Sequence, residues 1–212
     1  SLMIITNCSN SEKLAKSVAR KLKASYSKLT ISSFPDGDLY LKFNTSLKGK
    51  KLVIVQSFHP DSSRSLIEVI FAAQTAKDLG AKKVILVAPY LAYMRQDKRF
   101  NSGEAISSRI MAKLLNSSID KIITVDPHLH RYRSLKDIFT ISTKKLTANG
   151  VIARCVHKNF HDAVIIGPDW ESYQWAEDIA KKIHVPVTVL RKQRYSSHKV
   201  RVKLVDKINL KG

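Results

Sequence analysis

Glycine is scarce in this sequence, and the common glycine-rich nucleotide motifs are absent. Seven of the 212 residues are glycine. The sequence contains no G-x-x-x-x-G-K-[ST] loop and no G-x-G-x-x-G turn, so it supports neither a P-loop ATPase nor a Rossmann-type dinucleotide enzyme. It also has no G-x-S-x-G nucleophile elbow, which argues against an α/β-hydrolase. A phosphate site in this chain would have to rely mainly on side-chain cations.

Cysteine and long apolar runs are scarce as well. Cys8 and Cys155 are the two cysteines, too few for a disulfide scaffold and without metal-ligand spacing, so we interpret both as plain thiols. The longest apolar runs, 52–55 and 84–88, are far too short to cross a bilayer, which excludes a membrane protein. The N-terminus enters a strand pattern without a secretory signal, and this predicts a cytoplasmic location.

Acidic residues are few relative to basic ones. The chain has 37 Lys and Arg against 17 Asp and Glu, a net charge of +20. The excess is spread over both halves, and only 190–212 is locally extreme. Such a charge favours polyanionic partners: nucleic acid, a membrane surface or phosphorylated metabolites. A charge run is more often a solvated face, so the charge alone does not choose among them.

Strand and helix patterns alternate along the chain. Short runs rich in β-branched residues predict buried strands at 2–5, 52–55, 84–88, 122–125, 163–166 and 187–190. Helical spacing predicts helices over 11–24, 64–79, 104–115 and 171–183. This alternation is typical of βαβ units with a mostly parallel sheet, so we expect an α/β fold. A new strand and helix series begins near 138–145, which predicts domains at 1–143 and 144–212.

Two segments depart from this alternation. Residues 29–43 contain a Pro-Asp-Gly turn between β-like flanks, and 200–205 alternate apolar and basic residues with period two. Both patterns are typical of antiparallel hairpins or flaps. The basic strand fits a lid over an anionic substrate, and it fits an edge strand protected by charge equally well.

Polar residues follow the predicted strands at the points where ligands bind in open parallel sheets. After 84–88, Arg95 suits phosphate oxygens, Gln96 suits a hydrogen bond to a ligand, and Tyr90 or Tyr93 suits a base pocket. A solvated basic loop is the alternative interpretation of this segment.

Carboxylates and imidazoles follow two further strands. Asp126, His128 and His130 follow 122–125, and Asp169 follows 163–166. Together they predict a site for Mg²⁺, which prefers oxygen ligands and bridges phosphates. Zinc fits less well, because no cysteine or later histidine pair has the usual spacing. Either motif alone is more often an ordinary strand-end turn.

Five motifs in a fixed order carry a resemblance to a known family. They are 34–38 (FPDGD), 89–97 (PYLAYMRQD), 103–108 (GEAISS), 124–128 (TVDPH) and 167–169 (GPD). In this order and spacing the chain resembles the ribose-phosphate pyrophosphokinases, nearer their archaeal-type branch. The resemblance implies two parallel-sheet domains of the type I phosphoribosyltransferase-like fold, the second incomplete and with a basic flap. It also implies a homo-oligomer whose ATP site is shared between subunits.

The implied reaction transfers the diphosphoryl group of MgATP to ribose 5-phosphate, giving phosphoribosyl pyrophosphate and AMP for nucleotide biosynthesis. By motif position, the adenine of ATP bound by a neighbouring subunit would be held by Phe34, Asp36, Gly37 and Asp38. ATP of the same subunit would be held by Arg95, Gln96 and Asp97.

The resemblance also assigns the metal and the flap. His128 and Asp169 would hold Mg²⁺, with Asp126 and His130 as further ligands or as residues around them. In the implied flexible loop, Lys192 would stabilise transition-state charge and Arg194 would bind phosphate.

Two departures from the family pattern qualify the expected activity. Family members continue beyond the flap into a loop that grips the 5-phosphate of ribose, and the sequence given ends before it. Residues 170–172 read Trp-Glu-Ser where a glycine-rich loop is usual. We therefore keep a non-catalytic regulatory relative as the alternative, with a nucleic-acid-binding protein, suggested by charge alone, as a distant third.

Overall fold

The computed structural model describes residues 2–127, 129, 131–159, 164–167, 173–196 and 199–204, with backbone only for 189–196 and 199–204. The chain forms two compact units, Ser1–Leu146 and Thr147–Gly212. No helix in the described ranges is long and apolar enough to cross a membrane.

The first unit is built from strands that alternate with helices. Its elements are β1 (Met3–Asn7), α1 (Glu12–Leu22), β2 (Ser25–Tyr26), β3 (Thr30–Ser33), β4 (Leu39–Lys42), β5 (Lys51–Val55), α2 (Ser62–Asp78), β6 (Lys83–Ala88), α3 (Ser107–Asn116), β7 (Lys121–Val125), a 3-10 helix (Leu135–Asp137) and β8 (Ser142–Leu146).

Six of these strands form one parallel sheet in the order β2-β1-β5-β6-β7-β8. The chain moves outward from β1 to β2 and then returns to β5 on the other side of β1. The connections therefore change direction between β1 and β5, and from β5 onward each strand is added on the same side. This large parallel sheet confirms the α/β fold class.

Helices cover both faces of the sheet. The larger core packs α2 and α3 on one face, with fully buried side chains such as Phe58, Leu86 and Met111. A smaller cluster on the other face packs α1 through Ala15 and Ala19 against β1 and β5. Helix α2 is capped at its N-terminus by Asp61, whose carboxylate accepts the Arg64 N–H at 3.1 Å.

The predicted hairpin at 29–43 is confirmed. Strands β3 and β4 pair antiparallel, from Thr30 opposite Lys42 to Ser33 opposite Leu39. Ile31 and Leu41 pack against the larger core, which anchors the hairpin to the first unit.

The second unit contains α4 (Asn149–Asn159), β9 (Ile165–Gly167), α5 (Tyr173–Ile183), β10 (Val187–Ser196) and β11 (Lys199–Leu204). β10 pairs parallel with β9 and antiparallel with β11. The alternating basic segment is therefore a strand, as predicted. We call the β10–β11 hairpin the flap.

Four elements were not predicted from the sequence: β2, the 3-10 helix, β8 and α4. Strand β8 reads Ser-Thr-Lys-Lys-Leu and lies largely exposed at the sheet edge, so it carries no apolar run. Helix α3 begins at Ser107 and not at 104, because the Glu104 side chain binds N–H groups of the preceding loop.

Candidate functional site

The carboxyl ends of the parallel strands lie along one edge of the first unit's sheet. The segments that follow them are 8–11 after β1, 56–61 after β5, 89–106 after β6 (the β6–α3 loop) and 126–134 after β7 (the post-β7 segment). Ligands of open α/β sheets bind at this edge. Most of the sequence-predicted site residues of the first unit lie in the last two segments, and the others lie in the β3–β4 turn.

The turn between β3 and β4 is closed by its own backbone. The N–H of Phe34 donates to the Asp38 carbonyl at 2.8 Å, and the N–H of Gly37 donates to the Phe34 carbonyl at 2.9 Å. Gly37 has φ of 95°, a left-handed conformation that side chains other than glycine rarely adopt. The tip is therefore a defined turn that holds its side chains outward.

Three side chains of this tip are available for contact. The Asp36 carboxylate accepts the Asp38 N–H at 3.1 Å, and both carboxylates are exposed. The Phe34 ring is 50% exposed and packs edge-on against Tyr40 at 5.5 Å between ring centroids. An exposed aromatic ring beside two carboxylates offers both a stacking surface and hydrogen-bond acceptors.

The β6–α3 loop presents two exposed arginines without described partners. The side chains of Arg95 and Arg99 make no hydrogen bond or ion pair with another residue in the described ranges. Next to Arg95, the Gln96 amide donates to the Lys98 carbonyl at 2.9 Å and to Glu104 Oε2 at 3.1 Å. These bonds leave the side-chain carbonyl of Gln96 as the group available to a ligand.

Glu104 organises this loop, a role that the sequence analysis missed. Its Oε2 also accepts the Phe100 N–H at 2.9 Å, and its Oε1 accepts the Asn101 side chain at 2.7 Å. These hydrogen bonds, chiefly the one from the Asn101 side chain, lower the pKa of Glu104. The signal in the sequence was the spacing of Asn101 and Glu104, with an asparagine three residues before a glutamate in a loop.

Asp97 is placed differently from its two neighbours. Its side chain is 0% exposed, and Oδ1 accepts a hydrogen bond from Nη1 of Arg131 in the post-β7 segment. Its other oxygen, Oδ2, has no hydrogen-bond partner among the described residues. No motif in the sequence points to Arg131, which stands three positions after His128.

The candidate metal ligands are described only in part. Asp126 is half-buried at the end of β7 with φ of 40°, and its N–H donates to the Leu146 carbonyl at 2.9 Å. Its carboxylate is a ligand type that Mg²⁺ prefers, so this residue fits the expected ion. His128, His130 and Asp169 lie outside the described residues, and the ranges that are described hold no cluster of three metal-ligating side chains.

The flap carries the candidate catalytic pair. Lys192 lies opposite Val202 and Arg194 lies opposite Val200 in the antiparallel pairing of β10 with β11. The backbone thus places both residues in one ladder of the second unit.

A second polar cluster, also missed from the sequence, lies at the ends of β1 and β5. The Glu68 carboxylate is fully buried and accepts hydrogen bonds from the N–H and hydroxyl of Ser9 at 3.2 and 2.6 Å and from Nε of Arg64 at 3.0 Å. Asn10 bridges to the Ser57 backbone in both directions, at 2.9 and 3.1 Å. We call these five residues the β1–β5 cluster.

The first part of the chain matches a family model, and curated proteins match over nearly its whole length. Residues 3–118 match the N-terminal domain of ribose phosphate pyrophosphokinase. The ribose-phosphate pyrophosphokinase of Methanobrevibacter smithii is 35% identical over 205 residues, which are 96% of this chain and 67% of that protein. That of Saccharolobus solfataricus is 33% identical over 212 residues, which are 99% of this chain and 72% of that protein.

A solved structure supports the same fold. The phosphoribosylpyrophosphate synthetase of Mycobacterium smegmatis superposes with a TM-score of 0.82 at 24% identity, over 95% of this chain and 66% of that one. The chain thus spans about two thirds of the length of the proteins that it matches. The family model, the archaeal relatives and the ordered motifs all indicate the same family: the chain belongs to the ribose-phosphate pyrophosphokinases.

Proposed function

We propose that this chain binds MgATP at the carboxyl ends of β6 and β7 and takes part in diphosphoryl transfer to ribose 5-phosphate. In this reaction the 1-hydroxyl oxygen of the sugar forms a bond to the β-phosphorus of ATP. The bond between that phosphorus and the α,β-bridging oxygen breaks, AMP leaves, and the hydroxyl proton is lost. The products are AMP and phosphoribosyl pyrophosphate.

The observation that carries the proposal is the exposed guanidinium of Arg95 beside the internally bonded Gln96. An arginine without a described partner at the end of a parallel strand suits the bidentate binding of phosphate oxygens. Glu104 holds the Gln96 side chain and the Phe100 N–H of the same loop, so less conformational entropy would be lost when a phosphate binds.

The turn between β3 and β4 would supply the adenine contacts of a neighbouring subunit. The Phe34 ring is half exposed, and the described hydrogen bonds of the tip are made within the hairpin. The exposed side chains of this turn are free to contact a nucleotide bound by another copy of the chain. This supports a homo-oligomer in which Phe34, Asp36, Gly37 and Asp38 complete the partner's ATP site.

By the family resemblance, His128 and Asp169 would hold Mg²⁺, with Asp126 and His130 as further ligands or as residues around them. The ion would neutralise charge on the phosphates and fix their orientation. In phosphoryl-type transfer, the protein contributes chiefly by positioning the substrates and by stabilising negative charge with positive charge. Lys192 and Arg194 of the flap would supply that charge at the transition state, as preorganised cations do in other enzymes.

The test is AMP formation by the 212-residue chain incubated with Mg²⁺, ATP and ribose 5-phosphate. We expect AMP only when the sugar phosphate is present, and we expect Lys192→Ala to lower its rate while leaving ATP affinity nearly unchanged. The matched control is Lys182→Ala, a change of the same residue type on helix α5 of the same unit.

Two results would contradict the proposal in different ways. Release of ADP or AMP without the sugar would indicate nucleotide hydrolysis and not transfer. A folded chain that binds MgATP but forms no AMP would contradict transfer by the 212-residue chain on its own, as expected of a non-catalytic relative or of a chain without the family's ribose 5-phosphate loop.

A further inference from the structure

Two segments of the proposed ATP site are joined by Arg131 and Tyr132, which neither the motifs nor the family comparison assign. Arg131 of the post-β7 segment donates from Nη1 to Asp97 of the β6–α3 loop. The same guanidinium lies over the ring of Phe100, with Cζ 5.2 Å from the ring centroid. Arg131 therefore contacts two residues of the β6–α3 loop, Asp97 and Phe100, both of which follow Gln96 in the sequence.

The next residue of the post-β7 segment makes a second attachment. The hydroxyl of Tyr132 lies 2.8 Å from the hydroxyl of Ser108, which is fully buried at the start of α3. The N–H of Ser108 in turn donates to the carbonyl of Gln96 at 3.2 Å. Gln96 is thus held on two sides: its backbone carbonyl accepts from Ser108, and the next residue, Asp97, accepts from Arg131.

The burial of Asp97 argues that this attachment has a purpose beyond stability. Its carboxylate is 0% exposed, yet one oxygen has no hydrogen-bond partner in the described ranges. A buried carboxylate with half of its bonding capacity unused is costly, and burial of an ion pair is weak evidence of a stabilising role. Arg131 is 47% exposed and so keeps its charge hydrated while it fixes the loop.

We propose that Arg131 and Asp97 are positioning residues that fix the β6–α3 loop on the post-β7 segment and thereby set ATP affinity without touching the nucleotide. The inference rests on the proposed function of this site. It assigns to Asp97 an indirect role in place of direct ATP contact. Without the pair, Arg95 and Gln96 would have to be ordered when ATP binds, and the affinity would fall.

The experiment compares Arg131→Gln, Asp97→Asn, the double variant and Arg131→Lys in the 212-residue chain. MgATP affinity is measured by calorimetry, and amide hydrogen exchange is followed for residues 95–104. Arg20→Gln, an exposed arginine on α1, is the matched control. Circular dichroism and thermal unfolding establish that each variant is folded at the temperature of the titration.

We expect Arg131→Gln to weaken MgATP binding about tenfold, within the usual range of coupling between sites, and to speed exchange at 96–100. The double variant should be no weaker than the worse single one, because both changes remove the same attachment. Arg131→Lys should restore part of the affinity, since it keeps the charge but not the planar fork. A purely structural role would lower thermal stability and leave the affinity of the folded chain unchanged.

Results that contradict this inference can be told apart from results that contradict the proposed function. If the wild type binds MgATP and Arg131→Gln binds equally well, the inference is wrong and the proposed function stands. If the wild type binds no MgATP, the proposed function is wrong. The exchange measurement needs no nucleotide, so unchanged exchange at 96–100 in Arg131→Gln overturns the inference by itself. Should Arg131→Gln fail to fold, Asp97→Asn and Arg131→Lys carry the same comparison.

Discussion

Two places along the carboxyl-end edge of the same parallel sheet carry polar side chains but use them in opposite ways. In the β1–β5 cluster, Glu68 is fully buried with three donors, and Asn10 is bonded to the neighbouring backbone. At the ends of β6 and β7, Arg95 is exposed without a described partner, and half of the Asp97 carboxylate is unbonded. One set of polar groups is satisfied internally, and the other is left partly unsatisfied.

If the ATP site lies where we propose, this difference means that topology alone does not locate it. The chain changes direction between β1 and β5, which is where ligands of doubly wound sheets commonly bind. Here the polar groups of the β1–β5 cluster are bonded to the protein itself, although Ser9 and Arg64 also line a cavity. The polar groups with unused bonding capacity lie at the ends of the next two strands, β6 and β7, where we propose the ATP site.

The largest expected effect concerns the β1–β5 cluster. Glu68→Gln removes a buried charge that accepts from Arg64 and Ser9, and it puts an amide donor against existing donors. We expect the free energy of unfolding to fall by about 3 kcal/mol. Urea denaturation measures this change, and MgATP affinity of the folded variant should stay as in the wild type.

Glu12→Gln is the control for this change. Glu12 pairs with Lys16 at 2.8 Å on the surface of α1, with both side chains substantially exposed, and such pairs contribute little to stability. Equal midpoints for Glu68→Gln and the wild type would contradict the stabilising role of the cluster. A loss of MgATP affinity in folded Glu68→Gln would contradict the separation of the two strand ends.

A smaller effect is expected at the other end, from the pH dependence of the β6–α3 loop. The pKa of Glu104 is lower in the folded loop than its ordinary value of 4.5, chiefly because of the hydrogen bond from Asn101. The bonds to Glu104 therefore stabilise the loop above pH 4.5 and are lost as the pH falls through the lowered pKa. The amide proton shift of Phe100, followed by NMR, should titrate below pH 4.5.

Two variants sharpen this measurement. Glu104→Gln should abolish the titration of the Phe100 amide proton. Glu12→Gln removes a distant carboxylate whose pKa is also lowered, by Lys16, and should leave the titration intact. A midpoint at or above 4.5 in the wild type would contradict the role of Glu104 as the group that organises the loop.

Much of the fold was predictable from the sequence, because buried parallel strands read as continuous apolar runs. The runs at 52–55, 84–88 and 122–125 became β5, β6 and β7 with boundaries shifted by one residue at most. Strand β8 was missed since an edge strand with exposed lysines carries no such signal. The hairpin was found through its Pro-Asp-Gly turn.

The site was predictable to a lesser degree. Motifs identified Arg95 and Gln96, but nothing in their spacing revealed that Asp97 would be buried against Arg131. That pair joins residues 34 positions apart, and it depends on β6 and β7 lying side by side in the sheet. Glu68 was missed for the same reason, because its partner Ser9 lies 59 positions away.

The most direct test of the account is calorimetric titration of the 212-residue chain with MgATP, alongside Arg95→Gln and the control Arg20→Gln. We expect saturable binding by the wild type and the control. Arg95→Gln should bind about tenfold more weakly or worse, because it lacks the charged fork proposed for the phosphates. No saturable binding by the folded wild type, or equal affinity in Arg95→Gln, would contradict the placement of the ATP site at the ends of β6 and β7.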